Sequence, residues 1–249
     1  MKKDFSGILL LSDYDGTLSW GGVPEKNTEA LKYFMSCGGM FSLSTGRSGE
    51  GILKDKAMPI LPNVPMVGLT GSQLYDLQKA ECVWSECIAK EMACHIAKEM
   101  ELTNATSAEI VFSGRSSVAH SPDEVGTLVT EPVMKVVVFT ELSVWDAPVP
   151  EAASEYAKDR FEICSNGPGS FELTAIGVNK GSAAQKLKEL TGAKTLICVG
   201  DYNGDNSMLI AADIGYAVAN AQAKTKAVAD RITEAQAKDG AIAEIIEKL

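Results

Sequence analysis

Apolar residues in this chain fall into short dense runs, separated by polar stretches with helical spacing. Ile8-Leu9-Leu10-Leu11 and Thr195-Leu196-Ile197-Cys198-Val199-Gly200 are apolar runs of strand length, the pattern of strands buried on both faces. Met40-Phe41-Ser42-Leu43-Ser44, Val67 to Leu69 and Ile214 to Val218 read as further strands. Ala30, Leu31, Phe34 and Met35 recur at helical spacing behind a cap at Asn27 or Thr28, and Gly38-Gly39 ends that helix. Gly181-Ser182 opens a second helix with Ala183, Ala184, Leu187 and Leu190 on one face, and Ala241 to Leu249 reads as a last one. Strands alternating with helices predict an α/β core with a parallel sheet covered on both faces.

The middle of the chain follows a different pattern. Glu86 to Leu102 reads as one long amphipathic helix, and Ala152 to Lys158 as a shorter one. Glu109-Ile110-Val111-Phe112, Val133 to Thr140 and Phe161 to Cys164 have strand character. Strand-rich sequence between two α/β segments predicts an inserted α+β domain. Its expected extent is residues 81–173, with residues 1–80 and 174–249 forming the core.

Composition narrows the function classes. The 249 residues carry a net charge of -10. An acidic chain without a basic stripe is a poor phosphate-backbone binder, so no nucleic-acid partner is expected. No stretch approaches the length of a membrane span, and the apolar run after Met1-Lys2-Lys3-Asp4 is too short for a signal-peptide core. None of Cys37, Cys82, Cys87, Cys94, Cys164 and Cys198 forms a C-x-x-C pair, so reduced thiols in a cytoplasmic protein are expected. His95 and His120 show no metal-ligand spacing. Oligomeric state is not written in any of these patterns.

The candidate chemistry sits at strand ends. Asp13, Thr45 and Asp201 each follow a predicted strand, and open parallel sheets bind ligands beyond the carboxyl ends of their strands. Asp13-Tyr14-Asp15-Gly16-Thr17 places two carboxylates one residue apart before a glycine, which suits a metal-assisted nucleophile with a second carboxylate in reach. Each motif also has a plain structural reading. Asp and Gly favour turns, Ser44-Thr45-Gly46-Arg47 is an acceptable helix cap, and a lysine before a helix is usually solvated. Their joint occurrence at converging strand ends is what favours function.

Together, Asp13-Tyr14-Asp15-Gly16-Thr17, Ser44-Thr45-Gly46-Arg47, Asn179-Lys180-Gly181 and Gly200-Asp201 through Asp205 resemble the haloacid dehalogenase superfamily. More narrowly they resemble its Cof-type phosphatases, whose cap is inserted between the second and third motifs. Ala212-Asp213-Ile214-Gly215-Tyr216-Ala217-Val218-Ala219-Asn220-Ala221 and Asp239-Gly240 resemble the closing segments of that group. The resemblance implies a Rossmann-like core with an α+β cap that sets substrate specificity. This chain departs from the group at Gly204, where Asn is usual, and at Thr70-Gly71-Ser72, where Asn-Gly-Ala is commoner.

On this resemblance, Asp13 is the expected nucleophile and Asp15 the expected general acid and base. Dehalogenases of the superfamily lack the second Asp. Mg²⁺ is the expected cofactor, held by the side chains of Asp13 and Asp201 and the backbone carbonyl of Asp15, with Asp205 ligating it or a bound water. Thr45, Gly46, Arg47 and Lys180 are the expected phosphate contacts. In the inserted segment, Gly114-Arg115-Ser116 and Ser165-Asn166-Gly167 are candidate substrate loops. The expected activity is hydrolysis of a small phosphorylated metabolite, a sugar phosphate being the commonest class in the group. A phosphomannomutase-like phosphomutase and a non-catalytic phosphate-ligand sensor are the alternatives.

Overall fold

The computed structural model of the chain describes residues 3–141 and 148–249. It divides into two compact units, Met1–Trp84 with Lys180–Leu249, and Ser85–Asn179. In chain order the first unit begins with β1 (Ile8–Asp13), α1 (Glu25–Ser36), β2 (Met40–Ser44), α2 (Gly49–Leu53), β3 (Met66–Gly68), β4 (Gln73–Asp76) and β5 (Glu81–Ser85). The second holds α3 (Ala93–Leu102), β6 (Ala105–Val111), β7 (Ser116–Ala119), α4 (Pro122–Leu128), β8 (Lys135–Thr140), α5 (Glu151–Ala157), β9 (Phe161–Ser165) and β10 (Ser170–Ala175). The first unit resumes with α6 (Lys180–Thr191), β11 (Thr195–Gly200), α7 (Asn206–Ala211), β12 (Ile214–Ala217), α8 (Ala223–Val228), β13 (Arg231–Ile232) and α9 (Ala241–Lys248).

Among the described residues, the first unit is built on an eight-stranded sheet in the order β13-β12-β11-β1-β2-β3-β4-β5. The run from β13 to β3 is parallel, and β4 joins β3 antiparallel. Period-two alternation sorts the central strands between two cores. Leu10, Phe41, Leu43, Ile197 and Val199 pack with Leu31 and Phe34 of α1 and Ile242, Ile245 and Ile246 of α9. Leu9, Leu11, Leu196 and Cys198 pack with Ala183, Ala184 and Leu187 of α6 and Met208 and Leu209 of α7. Each such Leu, Ile or Phe contributes about 1.5–3 kcal/mol relative to exposure. Buried on both faces, these strands read as continuous apolar runs. Register then levels their ends: Asp13 pairs with Ser44, and Ser12 with Val199.

The second unit is an antiparallel five-stranded sheet, β7-β6-β8-β10-β9, with helices on one face. Ile96 and Met100 of α3, Val125 of α4 and Ala157 of α5 cover Ala108, Ile110, Val136, Val138 and Leu173. The alternate positions carry Glu109 and Glu172 in register with Val137, and a buried Lys135–Glu172 ion pair at 2.6 Å. The fold is therefore a Rossmann-like parallel-sheet core interrupted by an α+β insertion.

Several elements differ from the sequence reading. The long helix expected from Glu86 starts only at Ala93, because Ile88 instead pairs with Val133 in a β-bridge with backbone bonds of 2.7 and 2.8 Å. Asn27 does not cap α1, which begins at Glu25. Its buried side chain instead accepts from Ala243 N at 3.0 Å, joining α1 to α9. Strands β4, β5, β7 and β10 were not legible as such, and β10 places Glu172 in the middle of its buried run.

Candidate active site

The loop leaving β1 is closed by its own backbone. Leu18 N donates to Asp13 O at 3.3 Å, Ser19 N to Tyr14 O at 2.8 Å, and Gly16 N to Ser19 O at 2.8 Å. Gly16 has φ +90°, and a Cβ there would lie 2.5 Å from Asp201 Oδ2. Only glycine lets the two loops approach this closely. From the far end of the chain, Asn220 Nδ2 donates to Gly16 O at 2.8 Å, while its Oδ1 accepts from Ala237 N.

Loop β11–α7 is held by Asp205. Its Oδ2 accepts from the backbone N–H groups of Asp201 and Tyr202, both at 3.0 Å. Its Oδ1 accepts from Lys180 Nζ at 2.6 Å, and the same ammonium lies 2.8 Å from Asp13 Oδ1. Lys180 is the first residue of α6 and is buried. Thr17 Oγ1 donates to Asp201 Oδ1 at 2.7 Å.

Asp13, Asp201 and Asp205 thus offer carboxylate oxygens within 4.8 Å of one another. Burial, reinforced by Asp205, holds the Asp13 carboxyl well above the ordinary carboxylate range despite Lys180. Burial and Asp205 likewise push Asp201 up to about 6, with the Thr17 hydrogen bond pulling the other way. Burial opposes the Lys180 charge, but Asp13 and Asp205 outweigh it and its pKa rises. Three carboxylates crowd around one ammonium, leaving excess negative charge on hard oxygen donors. That donor set fits a divalent cation such as Mg²⁺.

The other expected site residues divide. Thr45, at the end of β2, is buried; its backbone N–H donates to Val67 O at 2.9 Å and its hydroxyl accepts from Arg47 N at 3.2 Å. Gly46 lies between them in the same loop. Asp15 lies outside the carboxylate cluster, with its side chain 56% exposed. Both its oxygens accept from Arg47, at 2.9 Å from Nε and 2.6 Å from Nη2. Arg47, expected to touch phosphate, directs its Nε, Nη1 and Nη2 to Asp15 and Asp55. In the second unit, Arg115 pairs with Glu131 and stacks on Phe112 at 3.9 Å, His95 Nδ1 bonds Tyr156 Oη at 2.6 Å, and Asn166 Nδ2 donates to Glu172 at 2.8 Å.

Three residues carry site geometry that the sequence reading gave no role. Thr17 lies inside the quoted motif, so its signal was present. Asn220 lies inside the closing segment. Asp55 had no sequence signal, since an Asp in a polar loop is unremarked until its partners are known.

A sequence profile of haloacid dehalogenase-like hydrolases matches residues 10–246. The 5-amino-6-(5-phospho-D-ribitylamino)uracil phosphatase YcsE of Bacillus subtilis is 34% identical over 93 residues, which are 36% of this chain and 37% of that protein. A phosphoglycolate phosphatase of Methanosarcina mazei is 40% identical over 82 residues, 32% of this chain and 36% of its own length. These alignments thus span little more than a third of each relative. A solved subclass IIB sugar phosphatase of the same superfamily superposes with a TM-score of 0.78 at 21% identity, covering 96% of this chain and 98% of that one, a likeness of fold. With the profile running from β1 into α9, and the insertion falling between Arg47 and Lys180, the chain belongs to the haloacid dehalogenase-like hydrolases in their Cof-type arrangement.

Proposed function

We propose that this protein is a Mg²⁺-dependent phosphatase that hydrolyses small phosphorylated metabolites, sugar phosphates foremost, through an aspartyl phosphate on Asp13. The observation that carries this reading is Lys180 Nζ, buried between Asp13 Oδ1 at 2.8 Å and Asp205 Oδ1 at 2.6 Å beside Asp201. A carboxylate held by a fixed cation beside a candidate metal pocket suits attack on an anionic phosphoryl group.

Asp13 Oδ forms the bond to phosphorus as the ester P–O bond breaks, and Asp15 gives its proton to the departing oxygen. Water then attacks phosphorus and loses its proton to Asp15, the Asp13–phosphorus bond breaks, and inorganic phosphate leaves. Thr45, the Gly46 backbone and Lys180 hold the equatorial oxygens, where charge accumulates in phosphoryl transfer. Asp13 and Asp201 would hold Mg²⁺, with Asp205 and the Asp15 carbonyl in support. When bound, the ion supplies the charge that lets anionic nucleophile and anionic substrate meet. Residues 81–173 are assigned the selection of substrate. The names of the two relatives support a small phosphorylated metabolite as substrate, and the superposed sugar phosphatase supports the sugar-phosphate class within it.

The test is hydrolysis of p-nitrophenyl phosphate with Mg²⁺ by the native chain and by Asp13→Asn. A fall of at least about 10³-fold is expected; activity retained in purified Asp13→Asn removes the nucleophile assignment. A metabolite panel ranked by kcat/KM then names the ester. Isomerised hexose phosphate without released phosphate would make the protein a mutase.

A further inference from the structure

Asp15 does not stand alone on its loop, and the residues that hold it come from a different part of the chain. Arg47 binds both Asp15 oxygens through Nε and Nη2, and its Nη1 donates to Asp55 Oδ2 at 2.9 Å. Asp55 lies in the turn after α2, where its backbone N–H donates to Ile52 O at 3.0 Å. The same Oδ2 accepts from Tyr14 Oη at 3.1 Å, and Oδ1 accepts from Ala57 N at 2.8 Å. Both oxygens of Asp55 are therefore engaged. The Arg47 guanidinium also lies over the Tyr14 ring, 5.2 Å from its centroid. Tyr14 is itself packed in the core at 1% exposure.

The direction of support is readable from exposure. Asp15 and Arg47 have side chains 56% and 44% exposed, whereas Asp55 is 19% exposed and is held by the core residue Tyr14 and by the backbone N–H of Ala57. A long arginine in solvent samples many rotamers, so a bidentate pair at the surface is ordinarily weak. Here the far side of the guanidinium is tied by a carboxylate that is itself tied to the backbone. The hydrogen bond from Ala57 N, helped by those from Tyr14 and Arg47, keeps Asp55 below the ordinary carboxylate range, so it stays an anion for Arg47.

We infer that Asp55 is a positioning residue for the reaction: with Tyr14 it fixes Arg47, and Arg47 fixes the carboxyl group of Asp15 that protonates the leaving oxygen. This rests on the role given to Asp15 above. Each Asp15 oxygen uses one lone pair on Arg47 and keeps another for the proton it transfers. Arg47 thus acts through Asp15 rather than on the phosphate. The bidentate geometry also explains why lysine is no substitute, since a point charge orients a carboxylate less sharply.

The readout is the dependence of rate on the leaving group. p-Nitrophenolate leaves with little help, whereas phenolate needs the acid, so misplacing Asp15 slows phenyl phosphate more than p-nitrophenyl phosphate. Both esters are assayed with Mg²⁺ on the native chain, Asp55→Asn, Arg47→Lys and Asp15→Asn. Asp55→Asn and Arg47→Lys are each expected to lose about tenfold more kcat on phenyl phosphate than on p-nitrophenyl phosphate, with KM little changed. Asp55→Asn added to Asp15→Asn is expected to change neither ester's kcat further, as for residues acting in one chain. Asp55→Asn keeps the acceptor for Ala57 N, and Arg47→Lys leaves Asp55 intact, so two independent variants test one coupling. Equal loss on both esters, or none, in both variants overturns the inference while the phosphatase reading stands. A native chain that hydrolyses neither ester overturns both.

Discussion

Thr17 Oγ1 donates a 2.7 Å hydrogen bond to Asp201 Oδ1 across 184 residues of sequence, tying the loop after β1 to the loop after β11. This bond presents Asp201 toward the cluster and counters the rise in its pKa caused by burial and Asp205. Replacing Thr17 by Val keeps the shape and removes the donor. Mg²⁺ affinity of Thr17→Val, measured by calorimetric titration, is expected to fall about tenfold, and Thr17→Ser to recover it. Unchanged affinity in Thr17→Val would mean that Asp201 needs no orienting partner.

Lys180 is the cation of a buried acidic cluster. Lys180→Met leaves Asp13 and Asp205 without it, and a buried charge stripped of its partner destabilises by about 3 kcal/mol. The metal-free variant should melt well below the native protein. Mg²⁺ should raise the melting temperature of both, and by more in the variant, since it supplies the missing positive charge. An equal melting temperature for the two metal-free proteins would show that the carboxylates are not charged there.

The segment after β3 contains Leu69, Thr70 and Gly71 with φ of 49°, 60° and 112°. Thr70 is β-branched and buried, and it occupies the left-handed region that Asn tolerates better. The departure from Asn-Gly-Ala in the resembled group is thus a backbone question. Thermal unfolding of Thr70→Asn should show a gain of about 0.5–1 kcal/mol. A loss would locate the role of Thr70 in its side-chain contacts.

Glu99 on α3 is fully buried, and neither carboxylate oxygen has a hydrogen-bond partner among the described residues. Burial lifts its pKa to about 7 from an ordinary 4.5, against the pull of Arg160. The folded state therefore holds a proton that the unfolded state releases. Stability from this group is complete below about 4.5, declines as pH rises toward 7, and is absent above. Glu99→Gln, which cannot ionise, should match the native protein near pH 4 and exceed it by about 3 kcal/mol near pH 8 in urea unfolding. A variant weaker than native at the higher pH would reverse the assignment.

Strands β1, β2 and β11 were legible because burial on both faces writes itself as an uninterrupted apolar run. The places where those runs stop then marked Asp13, Thr45 and Asp201. The antiparallel strands were harder. β10 reads Ser-Phe-Glu-Leu-Thr-Ala, and its buried Glu172 is met by Lys135 from β8 and by Asn166 from the preceding turn. The helix expected from Glu86 failed for the same kind of reason, since Ile88 found a cross-chain partner in Val133 that local periodicity does not record.

The sequence alone determined the architecture, the family and the shortlist of chemical groups, because strand burial, helix spacing and motif identity are local properties of the chain. Only the tertiary structure decided how those groups share partners. It put Lys180 between Asp13 and Asp205, Thr17 on Asp201, and Arg47 between Asp15 and Asp55. Charge pairing and hydrogen bonding depend on distances of a few ångströms between residues as far apart in the chain as Thr17 and Asp201, 184 positions, and those distances exist only once the sheet has brought the loops together.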